Sequence, residues 1–168
     1  MFKSKIAAAA VAFSTVLATT AGAATFEKYG SVEGWNVFID HEKKTCLIEI
    51  MDSEENVIQM GVTKNRNVGY IGIFTKGETA VTRDKRESVA ILIGDNMYVG
   101  EATGMRGNIT EGYSGGYVTS DNPMFVKDIE QQYEMMVFPE TEFSFVVDLT
   151  GTKKAIAMGR ECNEKQMN

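Results

Sequence analysis

Few side chains in this 168-residue sequence are reactive, and their spacing narrows what they can do. The single histidine, His41, stands in IDHEKKT between Asp40 and Glu42. A Ser–His–Asp or Cys–His device would need that imidazole, and its charged neighbours read as a solvated loop. Paired carboxylates do acid–base work without histidine. The available pairs are Glu54-Glu55, Asp84 with Glu87, and Glu140 with Glu142, all in polar stretches that read as solvated surface. Nine methionines lie beyond Met1, with Met135-Met136 adjacent. Copper(I) sites draw on such sulfur, but methionine more commonly fills core gaps. The segment GYSGGY places Gly115 and Gly116 between Tyr113 and Tyr117, a composition that suits an adaptable binding loop and equally a β-turn with edge aromatics. No P-loop, dinucleotide fingerprint, nucleophile elbow, metalloprotease helix or EF-hand loop occurs in the sequence. No metal or cofactor is expected.

The two cysteines, Cys46 and Cys162, carry a different chemistry. With no third competitor they most simply form one bridge in an oxidising compartment. It would close a loop of 162 − 46 + 1 = 117 residues, worth about 4–5 kcal/mol by chain entropy. A redox-active pair lacks the C-x-x-C spacing, and a zinc site has only His41 to draw on.

Export is the expected route to such a compartment. Lys3 and Lys5 precede an apolar run, IAAAAVAFSTVL, and Ala21-Gly22-Ala23 fits a small-residue cleavage site. The run is shorter than the roughly 20 residues that span a bilayer. Residues 1–23 are therefore expected to be a signal peptide, leaving a single domain at 24–168 of 145 residues. Without Lys3 and Lys5 the mature chain holds 15 basic and 23 acidic residues, net −8. That charge argues against nucleic acid or an anionic membrane as the main partner. Asn108-Ile109-Thr110 matches a glycosylation sequon, discounted because the leader reads as bacterial.

The elements that must position these residues read mostly as β. Period-two alternation places Trp35, Val37 and Ile39 on one face, and likewise Cys46, Ile48 and Ile50, so the sulfur should point coreward. NVIQMGVT, VGYIGIF and ESVAILIG continue the strands, and Gly94-Asp95-Asn96 signals a hairpin into MYVGEA. TKGETAVTRDKR reads as a charged loop, and 104–118 as a loose glycine-rich stretch. Asp121-Asn122-Pro123 opens a helix with a stripe of Phe125, Ile129 and Tyr133. EMMVF and EFSFVVDL follow as strands, the second lining one face with Phe143, Phe145, Val147 and Leu149. Trp35, Phe143 and Phe145 are expected in the core. A last helix from Thr150 or Gly151 carries Ala155, Met158, Gly159 and Cys162 on its inner stripe. The expected fold is mostly β (α+β): an antiparallel β-sandwich or barrel-like sheet, one internal helix, and a C-terminal helix docked by the disulfide.

Two stretches together resemble a known family. W-x-V-F-x-D followed by a cysteine, here Trp35, Val37, Phe38, Asp40 and Cys46, opens the pattern. FSFVVDLTGTKKAIAMGREC closes it through Asp148, Leu149, Gly151, Ala155 and Cys162. This looks like the invasion-associated locus B family of small exported proteins of Gram-negative bacteria, across about residues 34 to 162. Members often carry Gly-Phe where this chain has Gly151-Thr152. The resemblance implies a periplasmic or secreted β-rich domain without a cofactor, and carries no catalytic residues. The expected function is that of a non-enzymatic accessory factor binding a protein or envelope component. The alternatives are a small periplasmic hydrolase using Glu140 and Glu142 near Pro139, or an inhibitor of an envelope protease or lysozyme presenting loop 104–117.

Overall fold

A computed structural model describes residues 25–63, 68–76, 86–103 and 112–167. The expected leader, most of the charged loop 75–86 with Asp84, and residues 104–111 with the sequon lie outside the described residues.

Four strands form where alternation placed them: β2 (Trp35–Asp40), β3 (Thr45–Met51), β4 (Val57–Val62) and β5 (Gly69–Thr75). Before them runs β1 (Phe26–Val32), a strand the sequence reading missed. Its register against β2 shifts between Lys28 and Gly30. The bulge offsets the alternation by one residue, so Phe26, Tyr29 and Val32 recur every third position and escape a period-two search. Glu33 and Gly34 join β1 to β2 with φ of 51° and 85°, the paired positive values of a type I′ hairpin.

Beyond β5 come β6 (Arg86–Ile93), β7 (Asn96–Thr103), β8 (Ser114–Ser120), α1 (Pro123–Gln131), β9 (Glu134–Val137), β10 (Phe145–Asp148) and α2 (Thr152–Lys165). All strand pairs are antiparallel. They form two sheets, of order β1-β2-β3-β4-β5-β8 and β10-β9-β6-β7.

The core lies between the sheets. Ile58, Met60, Ile71, Ile73 and Val118 from the first join Val89, Ile91, Ile93, Met135, Val137 and Val147 from the second in one buried cluster. The sheets close on each other at Gly100, where a Cβ would lie 2.9 Å from the Val118 Cα. The rest of the first sheet's inner face, over β1–β3, is covered by α2. Cys162 is bonded to Cys46 with Cα atoms 6.1 Å apart, and Gly159 rests on Ile48. The Asn163 side chain accepts from the Cys46 N–H at 3.0 Å. Arg160 pairs with Glu130 of α1 at 2.6 Å.

Several local expectations are corrected. Asn122 caps α1 by accepting from the Met124 N–H at 2.9 Å, with Pro123 following. The helix ends at Gln131, however, so Tyr133 falls past its stripe and is 74% exposed. The strand read over EFSFVVDL begins only at Phe145. Upstream the chain turns at Phe138 and Glu140, both at positive φ, and the Thr141 hydroxyl accepts from the Phe143 N–H. Trp35 is fully buried, its Nε1 donating to the Thr150 carbonyl at 2.9 Å. Phe143 and Phe145 pack on the core from its rim. The inner face of α2 also buries Thr152 and Ile156, while Met158 is partly buried.

Candidate functional site

Strand alternation gives the six-stranded sheet a second face, and its side chains define the candidate site. Register puts Asn36, Glu49, Gln59, Gly72 and Tyr117 in one row across β2, β3, β4, β5 and β8. The neighbouring row runs Phe38, Leu47, Gly61, Tyr70 and Thr119. A third holds Met51, Val57, Phe74 and Gly115.

Glycines in two of these rows let rings lie across the sheet. A Cβ at Gly72 would be 2.5 Å from Tyr117 Cε1, and one at Gly61 would be 2.6 Å from the Tyr70 hydroxyl. Each tyrosine thus occupies the space that a side chain on the adjacent strand would fill, an aromatic ring compensating a glycine. Both lean toward β3. The two rings meet edge to face at 5.6 Å and 84°, and Phe74 supports Tyr117 at 5.2 Å.

The rings border a cleft of about 510 Å³ reaching from Thr25 and Phe26 on one side to Tyr113 and Tyr117 on the other. Its floor includes Phe38, Leu47, Glu49, Met51, Val57, Gln59 and Tyr70. The volume falls in the range of ligand sites, about 300–1,000 Å³, and the lining mixes apolar and polar side chains. Those polar groups are bonded in series. Tyr117 donates to Gln59 Oε1 at 2.7 Å, and Gln59 Nε2 donates to Glu49 Oε2 at 2.7 Å. At the cleft's end Asp40 Oδ1 accepts from the Glu42 and Lys43 N–H groups, while Lys43 Nζ pairs with Oδ2 at 3.2 Å.

Burial, then the charge of Glu49, pushes the Tyr117 phenol upward. Burial also raises Tyr70, helped by Tyr117 and by the charges of Asp40 and Glu49. Both hydroxyls therefore remain neutral at physiological pH.

Of the residues singled out from sequence, Tyr113 and Tyr117 line this cleft. Gly115 and Gly116 belong to β8, a sheet strand rather than the loop expected, and both are buried. Gly115 has φ 153° and sits where a Cβ would be 1.9 Å from the Ile73 carbonyl oxygen, so its place is set by strand packing. Tyr70, Glu49 and Gln59 were not singled out. Their signal was present in the same alternation that found the core, because every strand with an apolar face also presents the opposite one.

The carboxylate pairs stand elsewhere. Glu140 and Glu142 are exposed on the turn after Phe138. Glu142 borders a shallow depression with Glu54, Asn56 and Phe145, and Glu140 is not among its lining residues. Glu55 accepts from Lys76 at 2.7 Å. His41 is exposed in its turn, 2.9 Å from Glu27 Oε2. Among the described residues no group of three His, Cys, Asp or Glu is placed to hold a metal. No helix among them is long and apolar enough to cross a membrane.

The chain matches no family model, no curated protein and no solved structure.

Proposed function

We propose that this chain is an exported, non-enzymatic binding protein of the periplasm or cell exterior, of the invasion-associated locus B type, and that the cleft on the outer face of its six-stranded sheet seats a protein or envelope partner. The observation that carries this reading is the cleft's construction. Two rings seated over glycines and one bonded series, Tyr117 to Gln59 to Glu49, hold its polar groups in fixed orientation. Preorganised polar groups among apolar walls favour recognition, because less ordering entropy is lost on binding. Export is supported by the leader-like residues 1–23 and by the Cys46–Cys162 bond, a linkage that persists in oxidising compartments.

The test is affinity capture from an envelope extract with the oxidised protein, beside Tyr117→Ala and an outer-face control on the second sheet, Val146→Ala. The wild type and the control should retain one specific partner, with Tyr117→Ala reducing recovery at least tenfold while unfolding cooperatively. Turnover of an envelope substrate with no retained partner would reject the reading.

A further inference from the structure

We infer that the cleft takes the ammonium head of a lysine side chain from the partner, with Glu49 as its counter-charge and Tyr70 and Tyr117 as the rings beside it. This rests on the reading of the cleft as the partner's seat and names the chemical group recognised there.

Charge is the first argument. Asp40, Glu42 and Glu49 line the cleft against one base, Lys43, which Asp40 already engages. Among the described residues no lysine or arginine pairs with Glu49. Glu49 is half-buried and accepts from Gln59 Nε2 at Oε2, which leaves acceptor capacity on the carboxylate for an incoming cation.

The second argument is the shape of the surroundings. Tyr70 and Tyr117 stand at 84° to each other, walling a corner rather than a slot. Cations bind aromatic faces within about 6 Å of the ring centre. Leu47 and Met51 flank Glu49 on the same face of β3, and Phe38 lies opposite Leu47. Such an apolar approach suits the methylene stem of lysine, which lies along apolar surface while its head reaches a polar group.

The molecule already brings these groups together within itself. Lys76 lies 5.4 Å from the Tyr113 ring centre and 2.7 Å from Glu55. Lys165 meets its tyrosine and glutamate through their oxygens, donating to the Tyr29 hydroxyl at 2.7 Å and to Glu161 at 2.8 Å. The cleft offers the tyrosines and the glutamate. Arginine fits less well, because its guanidinium seeks both carboxylate oxygens in one plane and Glu49 Oε2 already accepts from Gln59.

The experiment is calorimetric titration of the oxidised mature chain, residues 24–168, with a Gly-Gly-Lys-Gly-Gly peptide blocked at both ends. Parallel titrations use its Nε-acetyl-lysine form and its arginine form. The lysine peptide should bind saturably, and acetylation should weaken it at least tenfold. Glu49→Gln, which keeps an acceptor for Gln59 and removes the charge, should weaken it at least tenfold with no change in melting temperature. Equal binding of the acetylated peptide, tighter binding of the arginine peptide, or an affinity within twofold in Glu49→Gln would each overturn the inference. If the captured partner is lost with Tyr117→Ala but unaffected by Glu49→Gln, the lysine assignment fails and the cleft's function stands. If neither variant affects capture, both fail.

Discussion

Gly61 and Gly72 decide the outer face of the larger sheet one residue at a time. Gly72→Ala would drive a Cβ to 2.5 Å from the Tyr117 ring, and overpacking of this kind costs about 1–3 kcal/mol. Urea unfolding should show that loss, together with weakened partner binding as the ring is expelled. Tyr117→Phe keeps the ring and removes only the donor to Gln59 Oε1. It should destabilise by about 0.5–1.5 kcal/mol, the net worth of one hydrogen bond. High pH tests the same phenols together with Tyr98. Tyr98 is buried and donates to Asp128 at 2.6 Å, and burial first, then that bond, pushes it up to about 12. Unfolded tyrosines ionise near pH 10 while these three hold their protons longer, so the unfolded state loses protons first. Their contribution is complete below pH 10; that of Tyr98 is lost as pH rises through about 12, and those of Tyr70 and Tyr117 as pH rises through their own raised values. Urea midpoints should fall steeply across that window, and Tyr98→Phe should flatten the fall.

At the scale of elements, the last helix is the part most exposed to chemical control. Cys162→Ala opens a 117-residue loop, worth about 4–5 kcal/mol by chain entropy, or roughly 10–15 °C in melting temperature at this chain length. Calorimetry should show that difference under oxidising conditions and none in reductant. Acid loosens the same helix by another route. A hydrogen bond from Lys154, then its charge, holds Glu33 below its usual 4.5, and bonds from Lys165 and Tyr29 do the same for Glu161. Because these folded values are depressed, the ties are complete above pH 4.5 and are lost as pH falls through the lower folded values. Protection of the α2 amides, taken relative to their intrinsic exchange rates, should fall as pH drops below 4.5 through those lowered values, and Glu161→Gln should reduce the fall. How legible each element was depended on its regularity. Strands β2 to β7, the Asn122 cap and the Cys46–Cys162 bond follow from period two, one capping residue and a count of two thiols. The bulge in β1 hid a strand, and the turns at Phe138 and Glu140 shortened another. Both are irregularities set by packing and positive φ, to which alternation is blind.

For the whole molecule, the sandwich leaves the larger sheet with one face on the core and the other on the cleft. Sequence reading reached the cleft through Tyr113 and Tyr117 but assigned their glycines to a loop, because Gly-Gly resembles a turn until a strand is seen to need it. Tyr70, Gln59 and Glu49 come from β5, β4 and β3, brought into neighbouring rows by register alone. No local spacing encodes that meeting. The second sheet also shows an apolar row outward, Val146, Met136, Leu92 and Met97, with Met97 55% and Val146 49% exposed. This row is a second surface on which a partner could rest. The most direct measurement places a photocrosslinking amino acid at Phe38, inside the cleft, or at Val146, on the opposite sheet, and irradiates whole cells. If the cleft seats the partner, a discrete crosslinked species forms from position 38, is abolished by Tyr117→Ala, and does not form from position 146. A partner trapped only from position 146 would contradict that seating.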